Sequence, residues 1–298
     1  MYDTVPDRVD PSGTTACRAG TTAHATTRVR CRLVATDLDG TLLSSDAMVS
    51  PRTSRALQRL AAHGIHHVIV TGRPASLCKP YFSALGYTGL AVCGQGAQVF
   101  DAGRGRLRSW CHLDRTMARQ VVDRLATQVG PLDLAVVTSG LDGDFLITPG
   151  FSRGDERELS PYRVVDAQAL WDHPIDKVLV RHRTLADNDL VGAAAACVGP
   201  KMTVVHAGRQ IVELLPGGFD KATGLAQVVS SFGLTARDVI AFGDMPNDIP
   251  MLSWAGHAVA MANGHPDLTA VAHEIAPAND DDGVAVVLER ILDQGVIP

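Results

Sequence analysis

Leu33-Val34-Ala35-Thr36-Asp37-Leu38-Asp39-Gly40-Thr41-Leu42-Leu43 is a short apolar run that ends in two acids and a glycine. The run up to Thr36 reads as a strand buried on both faces. The glycine then lets the backbone turn sharply away. Strand side chains alternate, so Asp37 and Asp39 are expected to project from the strand tip towards the same side. Two like charges so close repel each other, and a divalent cation between them would remove the conflict. The pair is therefore a candidate for both a metal site and a nucleophile.

The rest of the chain bounds what such a site could serve. Its 298 residues suffice for one large or two ordinary domains. A hydrophobic content of 46% with 20% charged residues is that of a globular protein. The net charge of −5 and the pI of about 6.1 argue against nucleic acid as a partner. No apolar run reaches the roughly 18 residues of a membrane span. Cys17, Cys31, Cys78, Cys93, Cys111 and Cys197 are scattered without a C-x-x-C or a disulfide framework, which reads as reduced thiols in a cytoplasmic protein. Residues 1–29 hold almost no large apolar side chain and read as a disordered extension without a secretory signal.

Downstream, Ser50-Pro51 predicts a helix start, Ala56, Leu57, Leu60 and Ala61 its buried face, and Gly64 its end. His67–Val70 and Leu90–Cys93 read as further buried strands, the first followed by Thr71-Gly72-Arg73 and the second by Gly94-Gln95-Gly96. This β-α-β-α-β rhythm predicts a parallel sheet with right-handed crossovers. From about Gly103 the strands come closer together, and residues 104–212 read as an inserted α+β domain. It would hold a helix over 113–128 capped by Asp114, strands at 134–137, 145–148 and 177–183, a helix over 186–198, and a hairpin of 202–206 with 210–215. Residues 30–103 and 213–298 form the predicted core domain, with a helix from Asp220 and a strand over 239–242 that runs into Gly243-Asp244-Met245-Pro246-Asn247-Asp248.

Ligands of open parallel sheets bind beyond the carboxyl ends of the strands. Asp37, Asp39, Thr71, the 94–96 loop, Asp244, Asn247 and Asp248 are all expected there, a set of oxygens and amides suited to a hard cation and a phosphate. Mg²⁺ fits such ligands, whereas zinc would ask for His or Cys. His63, His66 and His67 straddle a helix end and a strand start, and Asp280–Asp282 read as acids at a helix N-terminus. Asp248 reads equally as a site residue or as the cap of the helix at Ile249-Pro250, and Arg73 as a substrate contact or a loop brace.

Asp37-Leu38-Asp39-Gly40-Thr41, Thr71-Gly72-Arg73, Lys221 and Gly243-Asp244-x-x-Asn247-Asp248, in this order, resemble the four motifs of the haloacid dehalogenase (HAD) superfamily. The insertion resembles the C2 cap of its Cof-type phosphatases, and Asn279–Val284 is similar to their closing segment. The resemblance implies a Rossmann-like α/β core with an α+β cap, and Mg²⁺-dependent hydrolysis of a small phosphomonoester, foremost a sugar phosphate, through an aspartyl-phosphate. Asp37 would be the nucleophile. Asp39 would serve as proton donor and acceptor. Thr71, Gly72, Lys221 and Asn247 would bind phosphate. Asp37, the Asp39 carbonyl and Asp244 would ligate the metal, with Asp248 supporting them. The expected partner is a small phosphorylated metabolite, and the expected assembly a monomer or small homo-oligomer. A sugar phosphomutase of the same superfamily and a non-catalytic phosphometabolite-binding protein are the rival readings. Two segments depart from the subfamily: Gln95-Gly96-Ala97 stands where Asn-Gly-Ala is usual, and Ala262-Asn263-Gly264-His265 where Gly-Asn-Ala is usual.

Overall fold

A computed structural model describes residues 31–152, 162–208 and 211–294, so the expected extension over 1–29 lies outside the described residues. Strand β1 (Leu33–Thr36) is buried throughout and its alternation feeds two cores. Val34 joins one apolar cluster, and Leu33 and Ala35 join the cluster on the opposite face. Helix α1 (Pro51–Ala62) starts where Ser50 accepts a hydrogen bond from the Thr53 amide at 3.0 Å, and stops before Gly64 at φ +70°. Strand β2 (His66–Val70), helix α2 (Ala75–Ala84) and strand β3 (Leu90–Cys93) follow as the pattern predicts.

The chain then adds an antiparallel edge, β4 (Gln98–Asp101) and β5 (Arg106–Trp110), to the same sheet. The expected boundary at 103/104 thus falls inside a hairpin of the first sheet. The turn glycines Gly103 and Gly105 connect two paired strands there and do not open the insertion.

A second sheet follows. Its strands and the two helices that accompany them are, in chain order, α3 (Arg115–Val129), β6 (Asp133–Thr138), β7 (Phe145–Ile147), β8 (Tyr162–Val164), β9 (Ile175–Arg181), α4 (Asp187–Cys197), β10 (Met202–Gly208) and β11 (Ile211–Pro216). The strands run in the order β10-β11-β9-β6-β7-β8, antiparallel except for β7 with β8. β11 pairs through Pro216 with β10, so the expected boundary at 212/213 also shifts, to the far end of that strand. Val178 and Val180 of β9, with Val212 and Leu214 of β11, pack under the two helices. The alternate residues, Lys177 and Leu179 with Ile211 and Glu213, face a cavity shared with the first sheet. A one-residue slip would exchange the two rows and expose the apolar one.

Helix α5 (Lys221–Ser231), strand β12 (Val239–Gly243), helix α6 (Ile249–Trp254), strands β13 (His257–Met261) and β14 (Glu274–Ala276) and helix α7 (Gly283–Asp293) complete the first sheet. Its order is β14-β13-β12-β1-β2-β3-β4-β5, parallel from β14 to β3. β1 lies between β12, from the end of the chain, and β2, from its beginning. That reversal of strand order places a crevice at the carboxyl end of β1.

His63, His66 and His67 make separate contacts, with the Arg59 carbonyl, the Phe232 ring and the Thr36 hydroxyl. Asp280 accepts from the Ser45 amide and Asp282 from the Ser50 hydroxyl, which ties the start of α7 to the loop after β1. All five described cysteines are free. No helix among the described residues is long and apolar enough to cross a membrane.

Candidate active site

Asp37 is the first residue past β1 and is buried. Beyond it the chain turns at Gly40, after Asp39 in an extended conformation. Leu38–Leu42 coils back, with Gly40 at φ +74° and the Leu43 amide bonded to the Leu38 carbonyl at 2.8 Å. A side chain at Gly40 would put its Cβ 2.3 Å from Asp244 Oδ2, so the tight loop needs glycine for space as well as for conformation. Asp37 and Asp39 both line the cavity at this strand end, but only Asp37 belongs to the buried acidic cluster. The Asp39 carboxylate forms a bidentate pair with Arg73, at 2.7 Å to Nε and 2.6 Å to a terminal nitrogen.

The acids that converge are Asp37, Asp244 and Asp248, with ligand oxygens all within 4.8 Å of one another. Lys221 Nζ, itself 1% exposed, donates to Asp37 Oδ1 and to Asp248 Oδ1, each at 2.6 Å. Lys221 opens α5 directly after Asp220, whose side chain caps the helix through the Thr223 amide at 2.7 Å. Close packing seats that helix start: a Cβ on Gly224 would lie 2.7 Å from Gly96 Cα, and one on Gly96 would lie 2.0 Å from the Asp220 carbonyl oxygen.

Asp248 uses its second oxygen to accept from the Asp244 and Met245 amides, both at 3.0 Å. Its side chain makes no capping bond to α6, and its bond to the Met245 amide instead closes the short turn Pro246–Asp248. Asp244 accepts from the Thr41 hydroxyl at 3.1 Å, and its carbonyl from the His265 amide at 2.7 Å. The departing segment Ala262–His265 therefore braces the acidic loop, and Asn263 donates to the Gly40 carbonyl at 2.8 Å.

Three carboxylates against one ammonium leave an excess of buried acid. Burial pushes the Asp37 carboxyl well above the usual carboxylate range despite the pull of Lys221. Burial, then the neighbouring Asp248, push Asp244 up to about 6. Burial alone would lower the Lys221 ammonium, but Asp248 and Asp37 outweigh it and raise it. A buried all-oxygen acidic set with unbalanced charge fits a hard divalent cation of the Mg²⁺ kind.

The cavity beside this cluster has a volume of about 140 Å³. Asp37, Asp39, Thr71, Gly72, Lys221 and Asn247 all line it, so the residues expected for nucleophile, proton transfer and phosphate binding share one space. Thr71 directly follows β2 and accepts a hydrogen bond from the Arg73 amide at 3.1 Å through its hydroxyl. Lys177 and Glu213 were missed from sequence. They reach the cavity from the second sheet as a buried ion pair, and Lys177 also donates to the Gly72 carbonyl at 3.0 Å. For Glu213 the available signal is a single charge inside an otherwise apolar strand, Ile-Val-Glu213-Leu-Leu; Lys177 shares its strand with Asp176 and Arg181 and offers no such signal.

A family profile described as haloacid dehalogenase-like hydrolase matches residues 34–288. The chain belongs to the haloacid dehalogenase-like hydrolase family. Among curated relatives, a 5-amino-6-(5-phospho-D-ribitylamino)uracil phosphatase of Bacillus subtilis is 28% identical, over 87% of this chain and 96% of its own length. A haloacid dehalogenase-like hydrolase of Bacteroides thetaiotaomicron has a solved structure that superposes with a TM-score of 0.72 at 26% identity, covering 88% of this chain and 99% of that one. A Streptococcus mutans structure shares the fold with a TM-score of 0.79 at 22% identity, over 88% and 99%. The Cof-type resemblance and the α/β core with a cap are thereby borne out for this member of the HAD superfamily, and the relatives make it a phosphatase-type hydrolase.

Proposed function

We propose that the protein is a Mg²⁺-dependent phosphatase that hydrolyses a small phosphomonoester through an aspartyl-phosphate on Asp37, with the second sheet as its cap. The observation that carries this reading is the buried Asp37–Lys221–Asp248 arrangement at the carboxyl end of β1, beside a cavity also lined by Thr71 and Asn247.

Asp37 attacks phosphorus, forming one P–O bond as the bond to the leaving oxygen breaks. Asp39 gives that oxygen a proton and then takes one from the water that releases phosphate. Lys221 offsets the charge gathered on Asp37 and the phosphoryl oxygens, an effect that grows as the transition state forms. Thr71, the Gly72 amide and Asn247 hold the phosphoryl group. Asp37, Asp244 and the Asp39 carbonyl, with Asp248 behind them, would hold Mg²⁺, which supplies further neutralisation of phosphoryl charge.

The cap side of the cavity offers Phe145, Leu179 and Ile211 as apolar wall and the Lys177–Glu213 pair as polar contact. An apolar face beside a donor and an acceptor suits a hydroxylated carbon chain or sugar. The ribityl phosphate named for the Bacillus relative belongs to that class.

The test is a panel of sugar, polyol, nucleotide and cofactor monophosphates assayed with Mg²⁺ and with excess EDTA. Phosphate release that EDTA abolishes, strongest on polyol or sugar esters, is expected. Isomerised ester without free phosphate would point to a mutase, and binding without turnover to a sensor.

A further inference from the structure

We propose that Glu213, on the second sheet, is a positioning residue that acts through Gln95 to hold Asn247 with its N–H side towards bound phosphate. The inference rests on the proposed role of Asn247 in binding phosphate.

Gln95 is 2% exposed and sits at φ +57°, a backbone conformation uncommon for a residue with a side chain. Both ends of its amide are used. Nε2 donates to Glu213 Oε2 at 3.2 Å, and Oε1 accepts from Asn247 Nδ2 at 3.2 Å. The order of these bonds is fixed by chemistry. A carboxylate paired with an ammonium, as Glu213 is with Lys177, only accepts, so the Gln95 end that faces it must be the NH₂. That leaves the Gln95 oxygen facing Asn247, which must answer with its own NH₂.

Turning the Asn247 amide over would set two carbonyl oxygens against each other. The oxygen of Asn247 is consequently buried with no hydrogen-bond partner among the described residues. A lost acceptor bond is the cost of holding this orientation. Asn247 retains a second N–H, and the residue lines the cavity that contains Asp37 and Thr71. An N–H, and not a carbonyl oxygen, is what a phosphate anion requires. An Asn at position 95, one methylene shorter, would not span the gap between Asn247 and Glu213 in the same way.

The experiment measures inhibition by inorganic phosphate of the Mg²⁺-loaded full chain turning over p-nitrophenyl phosphate. Asn247→Ala, Gln95→Met and Glu213→Gln are compared singly, and Gln95→Met is combined with Asn247→Ala. Met matches Gln in length, so a packing role would pass unaffected, and the Lys177–Glu213 pair stays intact should Glu213→Gln fail to fold. Gln95→Met and Asn247→Ala are each expected to weaken phosphate inhibition roughly tenfold, the size of one hydrogen bond to a charged acceptor. The double variant is expected to lose no more than Asn247→Ala alone. Unchanged inhibition in Gln95→Met, or losses that add in the double variant, would overturn the relay and leave the Asn247 assignment standing. Unchanged inhibition in Asn247→Ala would overturn that assignment and the relay with it.

Discussion

Lys221 and Asp37 lie 184 positions apart in sequence and meet at 2.6 Å, both buried, with the ammonium shared by Asp248 at the same distance. One cation thus joins three segments: the end of β1, the start of α5 and the loop after β12. The site and the fold depend on the same atom.

Lys221→Met should therefore cost stability as well as turnover. Removing one partner of a buried pair leaves uncompensated charge, at about 3–5 kcal/mol. Denaturant unfolding of the metal-free variant is expected to show a loss of that order, reduced when Mg²⁺ is added. An unchanged midpoint would mean that the ammonium offsets little of the acid around it.

Arg73 holds Asp39 through two nitrogens and lies over the Tyr81 ring, 4.8 Å from its centre. With Asp39 36% exposed, solvent screening limits the pair to about 1 kcal/mol of stability although the Arg73 side chain is largely buried. Orientation of the proton carrier is the larger effect. Arg73→Ala is expected to lower kcat at least tenfold, with little change in melting temperature. A fall in kcat/KM through KM alone would make Arg73 a substrate contact.

Metal affinity should depend steeply on pH. Asp244, raised to about 6, takes up a proton in the metal-free protein as pH falls through that value, and burial shifts Asp37 in the same direction; a bound cation competes with such protons. As pH falls through 6 these protons compete, so the stabilisation by a fixed Mg²⁺ concentration shrinks. Melting curves with Mg²⁺ and with EDTA at pH 8 and pH 5 should differ widely at the first and little at the second. An equal metal shift at both would contradict the acidic-cluster site.

Gly96 combines φ +103° with a Cβ position 2.0 Å from the Asp220 carbonyl oxygen, so Gly96→Ala must push the start of α5 away. Backbone strain of this kind costs about 1–3 kcal/mol. Activity should fall further than stability, because Lys221 moves with that helix. Gly105, at φ +62° with open space around it, is the control position, where Ala strains the turn without touching the site.

The core of this fold was legible because its strands are buried on both faces and each ends in a polar motif. β1, β2, β3 and β12 each appear where an apolar run meets Asp37, Thr71, Gly94 or Asp244. What escaped was pairing at the edges. Arg106–Trp110 alternates exposed with half-buried residues and looks like any surface hairpin, so nothing local assigned it to the first sheet. The geometry of Asp39 escaped for a different reason. Asp39 keeps an extended backbone at φ −81° and ψ 127°, but its carboxylate pairs with Arg73, a long-range contact that local alternation does not specify. Glu213 carries a signal, one charge within an apolar strand, and Lys177 none, since Asp176 and Arg181 share its strand; only tertiary packing tells which sheet face meets the cavity.

The central claim is that Asp37 carries the phosphoryl group. Asp39→Asn, incubated with p-nitrophenyl phosphate and Mg²⁺, quenched in acid and digested, tests it by peptide mass spectrometry. The leaving group needs no proton, while the water step lacks its base. A phosphoryl adduct is expected on the peptide containing Asp37, removable by hydroxylamine. An adduct on any other residue, or phosphate release with no adduct in this variant, would contradict the account.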